Sequence, residues 1–260
     1  MLAGAATTGC GPGSWRWQTE EGKIMAKFVL IHGAWEAGWV WDWMAPRLRD
    51  AGHEVHTPSL TGLGARSHLL TPDVNLETHV LDVLGVLEWG RLENVTLVGH
   101  SYGGAVVTGV ADRAPERIGS LIYLDAFVPK DGQSLTDLQA PERAKMMRKY
   151  AEDKGEGWYL PPFPADFWHV TNPEEAAFLE ELSTPHPYAT MLQKLQLTGG
   201  LEKIAKKTYV QATGYEPSAF PRFVAEAREA GWPVEELNTH HFTMLSMPAE
   251  TAEVLIRHAA

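Results

Sequence analysis

Apolar residues along this chain follow two rhythms. Unbroken runs such as Phe28-Val29-Leu30-Ile31, Val95-Thr96-Leu97-Val98 and Leu121-Ile122-Tyr123-Leu124 are too short for helices, and they predict strands buried on both faces. Between them Leu76, Val80, Val83, Leu84 and Leu87 recur at helical spacing. The order of elements is then a strand over residues 26–32, a loop from Gly33 to Gly38, a helix over residues 39–51 stopped by Gly52, and a strand over residues 54–58. After the helix through Leu76 and Leu87 come a strand ending at His100, a helix over residues 103–114 that stops before Pro115, and a strand over residues 121–127. Past Pro129 the rhythm breaks: prolines cluster, Trp158, Tyr159, Phe163, Phe167 and Trp168 gather, and no strand pattern appears up to Gly200. Alternation resumes with a strand over residues 208–213, a helix over residues 223–230, a strand over residues 234–237 and a last helix from Ala249.

Apolar strands alternating with helices predict an α/β fold, a mostly parallel, doubly wound sheet with ligands bound beyond the carboxyl ends of its strands. Residues 25–128 and 201–260 are expected to form the core, residues 129–200 an inserted helical cap. Residues 1–24 do not share the pattern and read as a disordered leader or a non-native start, with Met25 as the natural one. The leader lacks the basic region and apolar length of a secretory signal. Lipoprotein cleavage before Cys10 is the alternative reading of it.

Candidate chemistry centres on Gly99-His100-Ser101-Tyr102-Gly103-Gly104. A strand that turns sharply into a helix with a protruding serine needs small residues on either side, and Gly-x-Ser-x-Gly meets that need. A phosphate-cradling loop is excluded by the missing Lys-Ser/Thr ending. Ser101 is therefore the candidate nucleophile, and a serine hydroxyl needs a base and a group that orients the base. His241, between the last strand and the last helix, is the expected base, with His240 as its rival. The expected oxyanion donors are the backbone N–H groups of Tyr102 and of Ala34 in the His32-Gly33-Ala34-Trp35 loop. His32 reads as a residue that holds this loop, His100 as a packing residue, and His53, His56, His79 and His258 as surface residues.

Composition narrows the partners. The 260 residues carry a formal charge of −11 with scattered basic residues, which argues against nucleic acid and for a neutral or cationic small molecule. The single cysteine, Cys10, allows neither an internal disulfide nor a thiolate metal cluster. No metal, no organic cofactor and no membrane association are expected, and the expected location is cytoplasmic.

The motifs Phe28-Val29-Leu30-Ile31-His32-Gly33-Ala34, Gly99-His100-Ser101-Tyr102-Gly103-Gly104 and His241-Phe242-Thr243-Met244-Leu245 resemble the α/β-hydrolase branch that contains plant methylesterases and hydroxynitrile lyases. The resemblance runs over residues 26–259. It implies a cofactor-free serine mechanism, a capped pocket and, as an assembly, a homodimer. One departure stands out: where that branch carries its triad acid in a Thr-x-Asp turn after the penultimate strand, this chain has Thr213-Gly214-Tyr215-Glu216. Asp125, at the end of the strand that follows the nucleophile helix, is the physical replacement, since a carboxylate in so apolar a run needs a partner such as an imidazolium. Glu216, one residue displaced, is the alternative acid. Gly33, Trp35, Trp158, Phe163, Phe167 and Trp168 are the candidate substrate-binding residues. The expected reaction is cleavage of a small, largely apolar carboxylic ester or lactone. A hydroxynitrile lyase is disfavoured because Phe242 follows the histidine where the lyases have lysine, and Gly33 stands where they have threonine. The remaining alternative is a non-catalytic receptor on the same fold.

Overall fold

The computed structural model describes residues 25–215 and 220–260; the leader, Cys10 and Glu216 lie outside them. Six parallel strands form the central sheet in the order β2-β1-β3-β4-β7-β8: β1 (Lys27–Ile31), β2 (Glu54–His56), β3 (Val95–His100), β4 (Ile118–Leu124), β7 (Lys207–Ala212) and β8 (Val234–Leu237). Because successive side chains point to opposite faces of a strand, each apolar run feeds two cores at once. Val29, Ile31, Leu97, Leu121, Tyr123 and Tyr209 join one cluster, while Phe28, Leu30, Val98, Ile122, Leu124 and Val210 join the other. Each such side chain taken wholly from water contributes about 1.5–3 kcal/mol before entropy is charged against it.

Helices cover both faces. On the first lie α2 (Leu76–Trp89), α3 (Gly103–Arg113) and α8 (Pro221–Glu229); on the second lie α1 (Ala45–Asp50), α9 (Thr243–Ser246) and α10 (Pro248–Arg257). Asn75 starts α2 with a capping box, its side chain accepting from the Thr78 N–H at 3.1 Å. The segment between β4 and β7 carries α4 (Leu135–Leu138), α5 (Pro141–Lys154), α6 (Pro173–Leu182) and α7 (Ala189–Leu192), with the short antiparallel pair β5 (Tyr159–Leu160) and β6 (His186–Pro187). It is stitched to the loop after β1: the Trp35 indole N–H donates to the Leu160 carbonyl at 2.9 Å, and the Thr184 N–H to the Trp35 carbonyl at 2.9 Å. No helix among the described residues is long and apolar enough to cross a membrane.

Three local expectations change. The helix expected over residues 39–51 is a 3-10 turn, Gly38–Trp41, followed by α1. Pro46, in the first turn of α1, has no N–H to give and its ring blocks a helix continuing from upstream. The strand expected to run to Phe127 ends at Leu124, because Asp125 takes φ +43° and leaves the extended region. The segment expected to lack strands holds β5 and β6, which at two residues each are too short to leave a periodic signature.

The elbow glycines are required by contact. A Cβ at Gly103 would lie 2.7 Å from the carbonyl oxygens of both Ile31 and His32, and one at Gly99 would lie 2.7 Å from the Gly103 carbonyl oxygen. Helix α3 thus sits directly against the end of β1. Gly85 in α2 is the contrast, since its nearest neighbour would be Trp89 Cδ1 at 4.0 Å. Gly103→Ala is expected to lower unfolding stability by about 1–3 kcal/mol through overpacking, whereas Gly85→Ala should raise it by about 0.5–1 kcal/mol through helix propensity. Urea denaturation of the two variants checks the pair, and equal effects would contradict it.

Candidate active site

Ser101 occupies the turn between β3 and α3 with φ +53°, a left-handed conformation that a side-chain-bearing residue holds only under constraint. The constraint is visible. Its N–H donates to the Leu124 carbonyl at 3.3 Å, and its carbonyl accepts from the N–H groups of Gly104 and Phe127, each at 3.1 Å. Trp35, Asp125 and His169 also have positive φ; Trp35 and His169 line the same cavity as Ser101, and Asp125 follows β4, the strand paired with β3.

Asp125 follows β4 and is fully buried. Three donors meet its carboxylate: the Ala212 N–H at 3.2 Å on one oxygen, and the Tyr215 hydroxyl and His241 Nδ1–H, each at 2.7 Å, on the other. Such saturation is what a buried carboxylate requires. Tyr215 OH and His241 Nδ1 stand 3.3 Å apart because both point their protons at the same oxygen. Tyr215, found where the related branch places its acid, thus hydrogen-bonds the candidate acid at the end of β4. With Nδ1–H committed to Asp125, His241 keeps Nε2 as its acceptor nitrogen. Two rings stack on the imidazole, Phe220 at 5.3 Å and 11° and Trp168 at 5.6 Å and 22°.

The other buried histidines sort by their partners. His32 donates from Nδ1 to the Gly33 carbonyl at 2.8 Å and accepts the Leu60 N–H at Nε2, 3.1 Å. His79 donates from Nε2 to the Thr61 carbonyl and accepts the Tyr102 hydroxyl at Nδ1, each at 2.8 Å. His186 accepts the Trp35 N–H at 3.4 Å and donates to Thr190 Oγ1 at 2.7 Å. One donor and one acceptor nitrogen make each of these three neutral, and burial pulls all of them below the ordinary imidazole value, His79 to about 4. His79 is therefore not the surface residue expected: it is wholly buried, with a ring edge against Tyr102.

His100 is different in kind. Nδ1 faces the Glu36 carboxylate at 3.1 Å and Nε2 faces the His241 carbonyl at 3.1 Å, two acceptors that call for protons on both nitrogens. Burial opposes its charge, but Glu36 outweighs burial and raises His100 above the ordinary value. Glu36 in turn is held low by His100 against its own burial, and its carboxylate also accepts the Gly33 N–H at 2.8 Å. His100 is thus half of a buried ion pair, beyond the packing role expected of it. That pair grips the loop after β1 at one end and the backbone of His241 at the other. Burial pulls the His241 imidazole below its ordinary value, the charge on His100, ring to ring at 4.5 Å, pulls it further, and Asp125 pulls back.

A cavity of about 270 Å³ opens onto Ser101. Ala34, Trp35, Tyr102, Phe167 and Trp168 line it, whereas Trp158 and Phe163 do not. Trp158 packs edge-on against Tyr159, and Phe163 stacks behind Phe167 at 4.3 Å. Gly33 lies against Ser101, since a Cβ there would lie 3.0 Å from Ser101 Cβ. The N–H groups of Ala34 and Tyr102 have no acceptor among the described residues, while those of their neighbours Gly33 and Trp35 do. His240 is held elsewhere, Nε2 to the Glu175 carboxylate at 2.6 Å. Sequence reasoning missed Tyr215 as a hydrogen-bond donor, Phe220 against the imidazole, Glu36 and Arg143. Only Tyr215 carried a signal, its place in the Thr-x-Asp turn.

The profile of the Alpha/beta hydrolase family matches residues 28–254. The chain is 43% identical over 241 residues to the carbendazim hydrolyzing esterase of Nocardioides sp. (strain SG-4G), covering 89% of this chain and 98% of that one. It is 30% identical over 200 residues to methyl jasmonate esterase 1 of Vitis vinifera, covering 72% and 73%. Among solved structures, an extracellular α/β-hydrolase from a Paenibacillus species superposes with a TM-score of 0.79 at 26% identity, over 90% of this chain and 99% of that one. A serine elbow at the end of a parallel sheet, a histidine after the last strand and a match along nearly the whole described chain lead to one conclusion: the protein belongs to the α/β-hydrolase family.

Proposed function

We propose that this chain is a serine hydrolase that cleaves a small carboxylic ester or lactone through an acyl-enzyme on Ser101. The observation that carries the proposal is the buried contact of His241 Nδ1 with Asp125 at 2.7 Å, which leaves Nε2 as the nitrogen free to act as a base toward Ser101. His241 takes the serine proton as Oγ attacks the ester carbonyl, and the Ala34 and Tyr102 N–H groups receive the developing oxyanion. His241 then protonates the leaving alcohol, and the acyl group is released by water that His241 deprotonates. Asp125 holds the imidazole in the required tautomer and balances the imidazolium. Residues 129–200 act as a cap over the acyl and alcohol groups, with Phe167 and Trp168 in contact with them.

The esterase relatives support an ester as substrate, and the modest aromatic cavity favours short acyl groups or the methyl ester of a small ring acid. Cyanohydrin cleavage is not favoured, because no lysine follows His241.

A serine-directed phosphonate should label Ser101, and Ser101→Ala should abolish both labelling and hydrolysis of p-nitrophenyl esters. Mass spectrometry of the digest reads the first result, and label on any other residue would remove the proposal. Asp125→Asn should lower kcat by up to about 10⁴, the magnitude known for the corresponding change in a serine protease, whereas Glu216→Gln should cost less than about tenfold. The opposite ranking would move the acid to the turn after β7. The pH profile carries a sign. A base held below the ordinary imidazole value of 6.5 stays unprotonated further into acid, so kcat/KM for a neutral ester should fall with a midpoint below pH 6.5. A midpoint above 6.5 would mean that Asp125 outweighs burial and the charge on His100.

A further inference from the structure

Among the described residues that line the Ser101 cavity, Arg143 is the one with a permanent charge. It stands in the first turn of α5 and is half-buried. Tyr150 stacks on Phe163 at 4.7 Å and Phe163 on Phe167 at 4.3 Å. The Arg143 guanidinium closes this column, 5.3 Å from the Phe167 centroid and 5.9 Å from that of Trp168. Arg143 and Tyr150 lie two turns apart on α5, so one helix spans the column and sets the cation at its cavity end. A guanidinium stacked on a ring presents its N–H fork in the plane, ready for a planar acceptor.

No carboxylate among the described residues pairs with it. The chain has 33 acidic residues, and Arg66, Arg113, Arg228 and Arg257 each hold one. An unpaired cation in an aromatic cavity loses hydration without recovering it, and burial accordingly pushes the Arg143 guanidinium down. Gln139, a second polar lining residue, has a side-chain amide without a hydrogen-bond partner among the described residues, whereas the Thr136 hydroxyl is committed to the Met191 carbonyl at 3.0 Å.

We propose that Arg143, assisted by Gln139, is a carboxylate subsite, and that the substrate is a half-ester with its ester at Ser101 and a free carboxylate at its other end. The inference rests on the ester-hydrolase reading and deepens it. A planar carboxylate can take two parallel N–H bonds from the fork, and its charge offsets a desolvation that a neutral acceptor would not. The net negative charge of the protein gives such a substrate no long-range attraction, and at physiological salt it is screened beyond about 8 Å. The subsite therefore acts at contact, through KM.

The test uses the monomethyl and dimethyl esters of glutaric and isophthalic acids, with p-nitrophenyl acetate as a neutral reference. The wild-type protein should favour the monoester over its diester by about tenfold or more in kcat/KM, and Arg143→Gln should shrink that ratio by about tenfold, chiefly through KM, with Arg143→Lys between them. A wild-type ratio at or below one, or equal losses on both esters, overturns the subsite while acetate turnover leaves the hydrolase reading standing. Calorimetric binding of isophthalate by wild type and both variants reads the subsite without turnover. A dissociation constant about tenfold weaker in Arg143→Gln is expected, and unchanged binding overturns the proposal even if no ester is cleaved.

Discussion

A carboxylate with no access to water governs the carboxyl end of this sheet. Asp125 has to be satisfied where it stands, and the three donors that do so come from the end of β7, from the turn after it and from the loop after β8. One buried charge thereby ties together the ends of three neighbouring strands, β4, β7 and β8, whose relative placement hydrophobic packing alone would leave loose. The same geometry gives His241 its tautomer. Structural necessity and proposed chemistry coincide at this atom, since an unsatisfied buried carboxylate would cost several kcal/mol.

A second buried charge pair completes the arrangement. Glu36 and His100 lie behind the proposed reaction centre, one bonded to the Gly33 N–H and the other to the His241 carbonyl. The loop that carries the Ala34 N–H and the loop that carries the imidazole are thus referred to a common ionic anchor. Its electrostatic effect opposes that of Asp125: the positive end next to His241 disfavours a second proton there, which suits the base role proposed for it.

Much of this was legible in the sequence, and the gaps have physical causes. The elbow could be read because its glycines answer a local steric demand, visible in the 2.7 Å approach of a would-be Cβ at Gly103 to two carbonyls. His241 could be read from its position after the last strand. Asp125 could be read because a charge inside an apolar strand end needs a reason. The partnership of Tyr215 with Asp125 could not, since it joins residues 90 positions apart through a turn whose shape depends on β7. The Glu36–His100 pair spans 64 positions for the same reason. Aromatic composition alone could not separate Trp168, which lines the cavity, from Trp158, which does not. That difference is set by the 3-10 turn Ala165–Trp168 and its left-handed end at His169.

Trp168 has a double attachment. One ring both walls the cavity and stacks on the imidazole of His241, as Phe220 also does. Size selection and the proton transfer proposed for His241 are therefore not separate dials on this molecule. On the proposed mechanism, an acyl group bulky enough to swing the indole aside would also disturb the stack on the imidazole, so a misfit substrate would be penalised in the chemical step as well as in binding. Enlarging the cavity at this ring would trade catalytic order for breadth, whereas enlarging it at Met147 or Met191, which line the cavity without a ring contact to the histidine, would leave the imidazole in place.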